Sequence, residues 1–237
     1  FIYDEVERLA RQTEQAGGTF LAFYGRPLEV FEDLLTRYEV AAIFTNEDYE
    51  PYAQERDPAV AELARRHGAE FHALKDQVIF AKNELLGKNG KPQRIFGAYR
   101  KAWLEALRDE YLAPYPSREL YTAEHLARLP DAAPRPTLTG MGFEEFRQEV
   151  PASELPPETL VRNYHKTRNT PGRVDSSTRR SVHLRFGTLS VRELMRQARE
   201  LNPKLLAELI WRDYFMMLLW HYPFTATESF EPRLRHV

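Results

Sequence analysis

The sequence predicts a doubly wound α/β domain built on a parallel sheet, then a long connector, then the start of an all-α domain. Three observations carry this. Over the first hundred residues, short apolar runs alternate with amphipathic stretches in the order helix, strand, helix, strand, helix, strand. From about 112 to 156, Pro114, Pro116, Pro130, Pro134, Pro136, Pro151, Pro156 and Pro157 are scattered among polar residues. Beyond 157 apolar positions recur at helical spacing. The chain divides accordingly into 1–111, 112–156 and 157–237.

The first helix covers residues 2–16, with Phe1, Val6 and Leu9 on one stripe, and Gly17-Gly18 breaks it. Residues 19–24 read as a buried strand closed by Gly25. Pro27 opens the second helix, whose inner side carries Leu28, Val30, Phe31, Leu34 and Leu35. A second strand spans 40–45 and ends at Asn46. Asp57 and Pro58 read as the cap and first turn of a helix through Val60, Leu63 and Ala64 that stops at Gly68. Residues 70–74 make the third strand. Right-handed crossovers between such strands give a parallel sheet covered on both faces, with ligands at the strands' carboxyl edge. No glycine-rich phosphate loop follows a strand, so a dinucleotide fingerprint is missing. After the connector, helices are expected near 157–165, 178–186, 190–201 and 203–221.

Composition excludes several chemistries. With no cysteine among 237 residues there is no disulfide framework, thiolate metal site, iron-sulfur cluster or cysteine nucleophile. His165, His183, His221 and His236 are scattered without a ligand pair, so they read as surface or structural histidines and no metal site is expected. No apolar run is long enough for a signal or a membrane span. The start at Phe1 and the stop after Glu231-Pro232-Arg233-Leu234-Arg235-His236-Val237 read as a fragment cut at both ends.

Two constellations carry chemistry. Arg162, Lys166, Arg168, Arg173, Arg179, Arg180 and Arg185 face one acid, Asp175, giving this stretch +6 within a chain of net −2. Cations interleaved with Tyr164, Asn169, Ser176, Ser177, Thr178 and Ser181 are groups that hold phosphates. Asp175-Ser176-Ser177-Thr178 also resembles a helix cap, and the whole stretch reads equally as a solvated loop. The second constellation lies on one long apolar helix, where Glu208, Trp211, Arg212 and Phe215 share a face. An ion pair between Glu208 and Arg212 is one explanation. A pocket wall with a stacking platform is the other.

At these residues the sequence resembles the photolyase and cryptochrome family. The similar segments are Asn46-Glu47-Asp48-Tyr49-Glu50-Pro51 with Arg56-Asp57, and Ile95-Phe96-Gly97-Ala98-Tyr99-Arg100-Lys101-Ala102-Trp103. They continue with Tyr164 and Arg168, Ser177-Thr178-Arg179-Arg180-Ser181, His183-Leu184-Arg185-Phe186-Gly187 with Ser190 and Arg192, and the helix around Glu208 to Phe215. The usual Thr-Pro before the tyrosine is Gly97-Ala98 here, and Ser-Thr-Arg-Arg-Ser stands for the usual Thr-Ser-x-Leu-Ser.

The resemblance implies an antenna-type N-terminal domain followed by the first part of a helical FAD-binding domain. Tyr164, Ser177, Thr178, Arg179, Arg180 and Ser181 would meet FAD, with the hydroxyls and amides cradling its pyrophosphate. Arg212 would face the cofactor phosphates, and Leu205 stands where many members have an aromatic residue near the flavin. Arg168 would contact the DNA backbone, Trp211 would stack on a flipped-out lesion, and Glu208 would bond its polar edge. Glu rather than Gln at 208 implies a deoxyribodipyrimidine photo-lyase, a carbon-carbon lyase that splits cyclobutane pyrimidine dimers with an electron from light-excited reduced FAD. Such a protein is a cytoplasmic, DNA-associated monomer acting on UV-damaged DNA, and the isolated fragment is expected to be inactive. A second, antenna chromophore of unknown identity is compatible, but Tyr52-Ala53 replaces the Asn-Glu pair of folate-binding members. The flavin-ring partners and the tryptophan electron-transfer chain would lie after Val237, so Trp103, Trp211 and Trp220 are not assigned to that chain. The competing readings are a cryptochrome-type blue-light receptor that binds FAD without repair, and a nucleotide-binding module based on the α/β half alone.

Overall fold

The computed structural model describes residues 1–115, 117–130, 132–144, 150, 152–170, 172–173, 176–231 and 233. Pro116, Pro151, Asp175 and His236 lie outside the described residues. The first half contains α1 (Ile2–Gln15), α2 (Pro27–Arg37), β1 (Ala42–Asn46), α3 (Pro51–Arg66), β2 (Glu70–Leu74) and α4 (Phe96–Ala106). After the connector come α5 (Glu158–Thr167), α6 (Ser181–Phe186), α7 (Val191–Leu201) and α8 (Pro203–His221).

β1 and β2 run parallel, joined through α3, with Ile43 opposite Phe71 and Phe44 opposite His72. Ile43 and Phe71 pack with Phe31, Leu35, Leu63 and Ala64, so α2 and α3 cover this side. Phe44 is 67% exposed and stacks on His72, with ring centroids 4.8 Å apart. The described sheet is therefore a single parallel βαβ unit and not the doubly wound sheet expected from the sequence. The missing member is the strand at 19–24. Thr19 donates its N–H to Ala127 O and accepts one from Leu129, but no sheet ladder forms along the segment, and Tyr24 is 66% exposed. An apolar run becomes a strand only when a neighbouring strand satisfies its backbone groups.

α1 ends where the paired glycines stand, for two different reasons. Gly17 adopts a φ of +90°, and a Cβ on Gly18 would come within 2.7 Å of Leu126. The connector passes close to this point. Arg135 pairs with Glu7 and Glu14, and the hydroxyls of Thr13 and Tyr121 meet, which fastens the segment to α1.

α3 starts at Pro51, a turn and more before the expected Asp57-Pro58 start. Pro51 occupies the first helical position, where its missing N–H costs nothing, and Asp48 Oδ1 accepts the N–H groups of Tyr49 and Glu50 just ahead. Asp57 pairs with Arg56, and Pro58 sits inside the helix.

The later helices follow their local signals. Ser190 accepts the Glu193 N–H in a Ser-x-x-Glu capping arrangement at α7. Asn202 caps α8 through the N–H groups of Lys204 and Leu205, with Pro203 next to it, and donates to the carbonyls of Val161 and Arg162 on α5. α6 begins at Ser181, three residues later than the 178 expected.

The largest core cluster joins both halves of the chain. Ile79, Phe80, Tyr99, Trp103 and Leu112 pack with Val161, Leu194, Met195, Ile210, Tyr214 and Met217. Three contacts register α4 and the residue two before it onto α8. Phe96 stacks on Trp211, the Trp103 indole N–H donates to Asp213, and the Tyr214 hydroxyl donates to Arg94 O at 2.7 Å.

Candidate functional site

The basic stretch is largely committed to partners. Arg162 pairs with Glu158 on its own helix, whereas Arg185 reaches Asp48 and Glu50 at 3.6 and 2.7 Å, tying α6 to the loop after β1. Arg180 donates to the carbonyls of Glu154 and Thr178. Lys166 and Arg179 are exposed. Arg179 has a φ of +51°, and its N–H donates to Ser177 Oγ, closing the turn that leads into α6.

Arg168 and Glu208 form an ion pair between the C-terminal end of α5 and the middle of α8. The carboxylate holds the Arg168 guanidinium above its ordinary value. That guanidinium also lies 5.5 Å over the Tyr164 ring, whose hydroxyl is pushed up chiefly by burial. One turn along α8 is Trp211, stacked on Phe96 with centroids 3.5 Å apart and planes 8° from parallel. Tyr164, Arg168, Glu208 and Trp211 are thus brought together.

The bridge between Glu208 and Arg212 weighed from the sequence does not form. Arg212 donates to the carbonyl oxygens of Gln77 and Leu184, holding α8 against α6 and the segment after β2. Burial lowers its pKa, and the adjacent Asp213 carboxyl opposes that shift. A guanidinium carries five donors, so these bonds leave some over for a phosphate.

As to FAD, the hydroxyls of Ser177, Thr178 and Ser181 and the guanidinium of Arg179 lie on one loop and the first turn of α6, partly or fully exposed. Hydroxyls with guanidinium are the donor chemistry that a pyrophosphate requires, so this part fits. Leu205 is different. It is buried within the core, and its N–H serves the Asn202 cap.

Sequence reasoning missed Asp213. This carboxyl is fully buried; its Oδ2 accepts the Ile79 N–H at 3.0 Å and the Trp103 indole N–H at 3.1 Å, and its Oδ1 has no partner among the described residues. Burial pushes it up to about 6 against the pull of these donors and of Arg212. The available signal was an acid inside an apolar helix, where a charge needs partners from elsewhere.

A cleft of about 240 Å³ opens at the carboxyl ends of β1 and β2, lined by Glu47, Asp48, Asp57, Phe71, Lys82 and Trp220. Lys82 pairs with Glu47 and lies 4.4 Å over the Trp220 ring. Among the described residues, no three His, Asp or Glu side chains converge as metal ligands, and no helix is long and apolar enough to cross a membrane.

Residues 1–119 match the family model described as DNA photolyase. A deoxyribodipyrimidine photo-lyase of a Synechococcus strain is 24% identical over 244 residues, covering 93% of this chain and 50% of the relative. Among solved structures, a class III photolyase from Agrobacterium tumefaciens aligns with a TM-score of 0.75 at 19% identity, over 95% of this chain and 50% of its own. An archaeal photolyase from Sulfolobus tokodaii, solved with two FAD molecules, aligns with a TM-score of 0.67 at 22% identity, over 98% and 50%. The chain spans about half the length of these relatives.

Proposed function

The chain belongs to the DNA photolyase family, and from that premise we propose that the protein repairs cyclobutane pyrimidine dimers in UV-damaged DNA under blue light. The observation that carries the reading is the convergence of a cation, a carboxyl and an indole: Arg168 on Glu208, with Trp211 one turn away on the same helix. When bound, reduced FAD supplies the electron on excitation. Gripping the DNA, stacking the lesion and bonding its polar edge fall to residues of this chain.

Arg168 engages a backbone phosphate beside the lesion. The phosphate competes with Glu208 for the guanidinium, and the released carboxyl hydrogen-bonds the polar edge of the flipped-out dimer. Trp211 offers the flat surface on which the extruded pair stacks. Ser177, Thr178, Arg179 and Ser181 hold the cofactor pyrophosphate, with Tyr164 and Arg180 beside it and the spare donors of Arg212 reaching the phosphates. Leu205 contributes from the core below. The cleft beyond β1 and β2 is where we place a second, antenna chromophore, because ligands of such α/β units lie outside the carboxyl ends of their strands.

The reading is tested by illuminating the full-length protein with a dimer-containing oligonucleotide. Dimer loss under blue light and none in the dark is the expected result. Flavin binding without dimer loss would move the assignment to a cryptochrome-type photoreceptor. Arg168 gives a more specific expectation: Arg168→Ala weakens binding to damaged and undamaged DNA alike and lowers the slope of log K against log salt by about 0.9. An unchanged slope would remove Arg168 from the DNA contact.

A further inference from the structure

Trp211 can select a stacked ligand only if its ring plane is fixed, and the structure shows what fixes it. The Phe96 ring lies 3.5 Å from the indole centroid and 8° from parallel, which covers one face of the indole. Two free aromatic rings prefer an offset or edge-on arrangement to a face-to-face sandwich, so the surroundings impose this one. Those surroundings are bonded into the core. Two residues before Phe96, the Arg94 carbonyl accepts the Tyr214 hydroxyl at 2.7 Å; behind it, Tyr99 and Trp103 of the same helix are buried, and Trp103 is bonded to Asp213. The Tyr214 ring closes the corner, 5.7 Å from Phe96 and 5.5 Å from Trp211, at 67° and 74°. Phe215 differs. It stands off at 5.3 Å, is tilted by 23°, and is 58% exposed.

We propose that Phe96 is a positioning residue of the stacking site: it closes one face of Trp211 and fixes the indole plane, so that the site takes the extruded pyrimidine dimer on the remaining face. The inference rests on the repair reading above for the identity of the ligand, but the fixing of the indole does not. It also means that the site on α8 is completed by the N-terminal half of the chain.

The test uses the full-length protein with two substitutions at one position. Phe96→Leu keeps an apolar side chain of similar bulk but has no flat face, and Phe96→Tyr keeps the face. Near-ultraviolet circular dichroism, taken as the difference from Trp211→Phe, reports the indole environment. This signal should collapse in Phe96→Leu and persist in Phe96→Tyr. Binding to a dimer-containing oligonucleotide should weaken about tenfold in Phe96→Leu, with undamaged duplex unaffected, and recover in Phe96→Tyr. An indole signal that survives in Phe96→Leu overturns the proposal whatever the DNA result. Equal or tighter dimer binding by that variant overturns it too, since Phe96 would then be occupying the ligand's place. A wild-type protein with no preference for dimers would instead sink the repair reading, and the indole signal would still decide the role of Phe96.

Discussion

Replacing Trp211 by alanine is expected to weaken binding of dimer-containing DNA by roughly ten- to a hundredfold, because a stacked base contributes about 1–3 kcal/mol. Affinity for undamaged duplex should stay within about twofold, since phosphate contacts carry that term and the indole does not touch them. The measurement is a pair of titrations at one salt concentration. An equal loss on both substrates would mean that the substitution had disturbed the fold or the basic surface, and no loss on either would take Trp211 out of the site. The fold effect is separable, because the indole is only partly buried and sits at the edge of the core cluster, whereas Trp103 and Tyr214 lie within it.

The other large effect concerns Asp213 and pH. Its carboxyl titrates at about 6 in the folded chain, above the value of about 3.9 for an unfolded aspartate. In that window the folded state holds a proton that the unfolded state has released, so this group makes folding more favourable as pH falls from about 6 to about 4. In the reverse direction, its contribution is lost as pH rises through about 6. The shift corresponds to about 3 kcal/mol. Exposed acids with lowered pKa values, such as Glu62 beside Arg65, act in the opposite sense, so the wild-type curve alone does not isolate the term. Asp213→Asn has nothing to titrate at this position. The difference in unfolding free energy between wild type and variant should therefore tilt in favour of the wild type by up to about 3 kcal/mol on acidification over that range. Parallel curves would show that the carboxyl has no raised pKa.

What could be read from the sequence depended on whether the cause was local. The starts of α7 and α8 are written in neighbouring residues, Ser190 with Glu193 and Asn202 with Pro203, and both helices lie where those signals place them. The stop of α1 is likewise local, in Gly17. The strand at 19–24 failed because its apolar pattern specifies burial but not the partner that completes a ladder. α3 failed differently: Pro51 and Pro58 both fit a first turn, and Asp57 has the chemistry of a cap for Pro58, whereas it binds Arg56. Near the site, the tempting partner was four residues away and the real one was not. Glu208 bonds Arg168 across two helices, and Arg212 bonds carbonyls of Gln77 and Leu184. Phe96 lies within the Ile95–Trp103 segment, and nothing in its sequence neighbourhood points to Trp211. Such pairs are products of packing and have no signature in local spacing.

The registration of α4 on α8 has a consequence during synthesis. Trp103 and Asp213 are separated by 110 residues, and Arg94 and Tyr214 by 120. At about 5–20 residues per second, α4 leaves the ribosome roughly 5–20 s before its counterpart exists. For that interval the faces of Phe96, Tyr99 and Trp103 that will meet α8 have no native cover, while the βαβ unit of β1, α3 and β2 has all its sequence available. The nascent chain thus carries an unsealed aromatic surface along α4, and the emergence of α8 is the event that closes it.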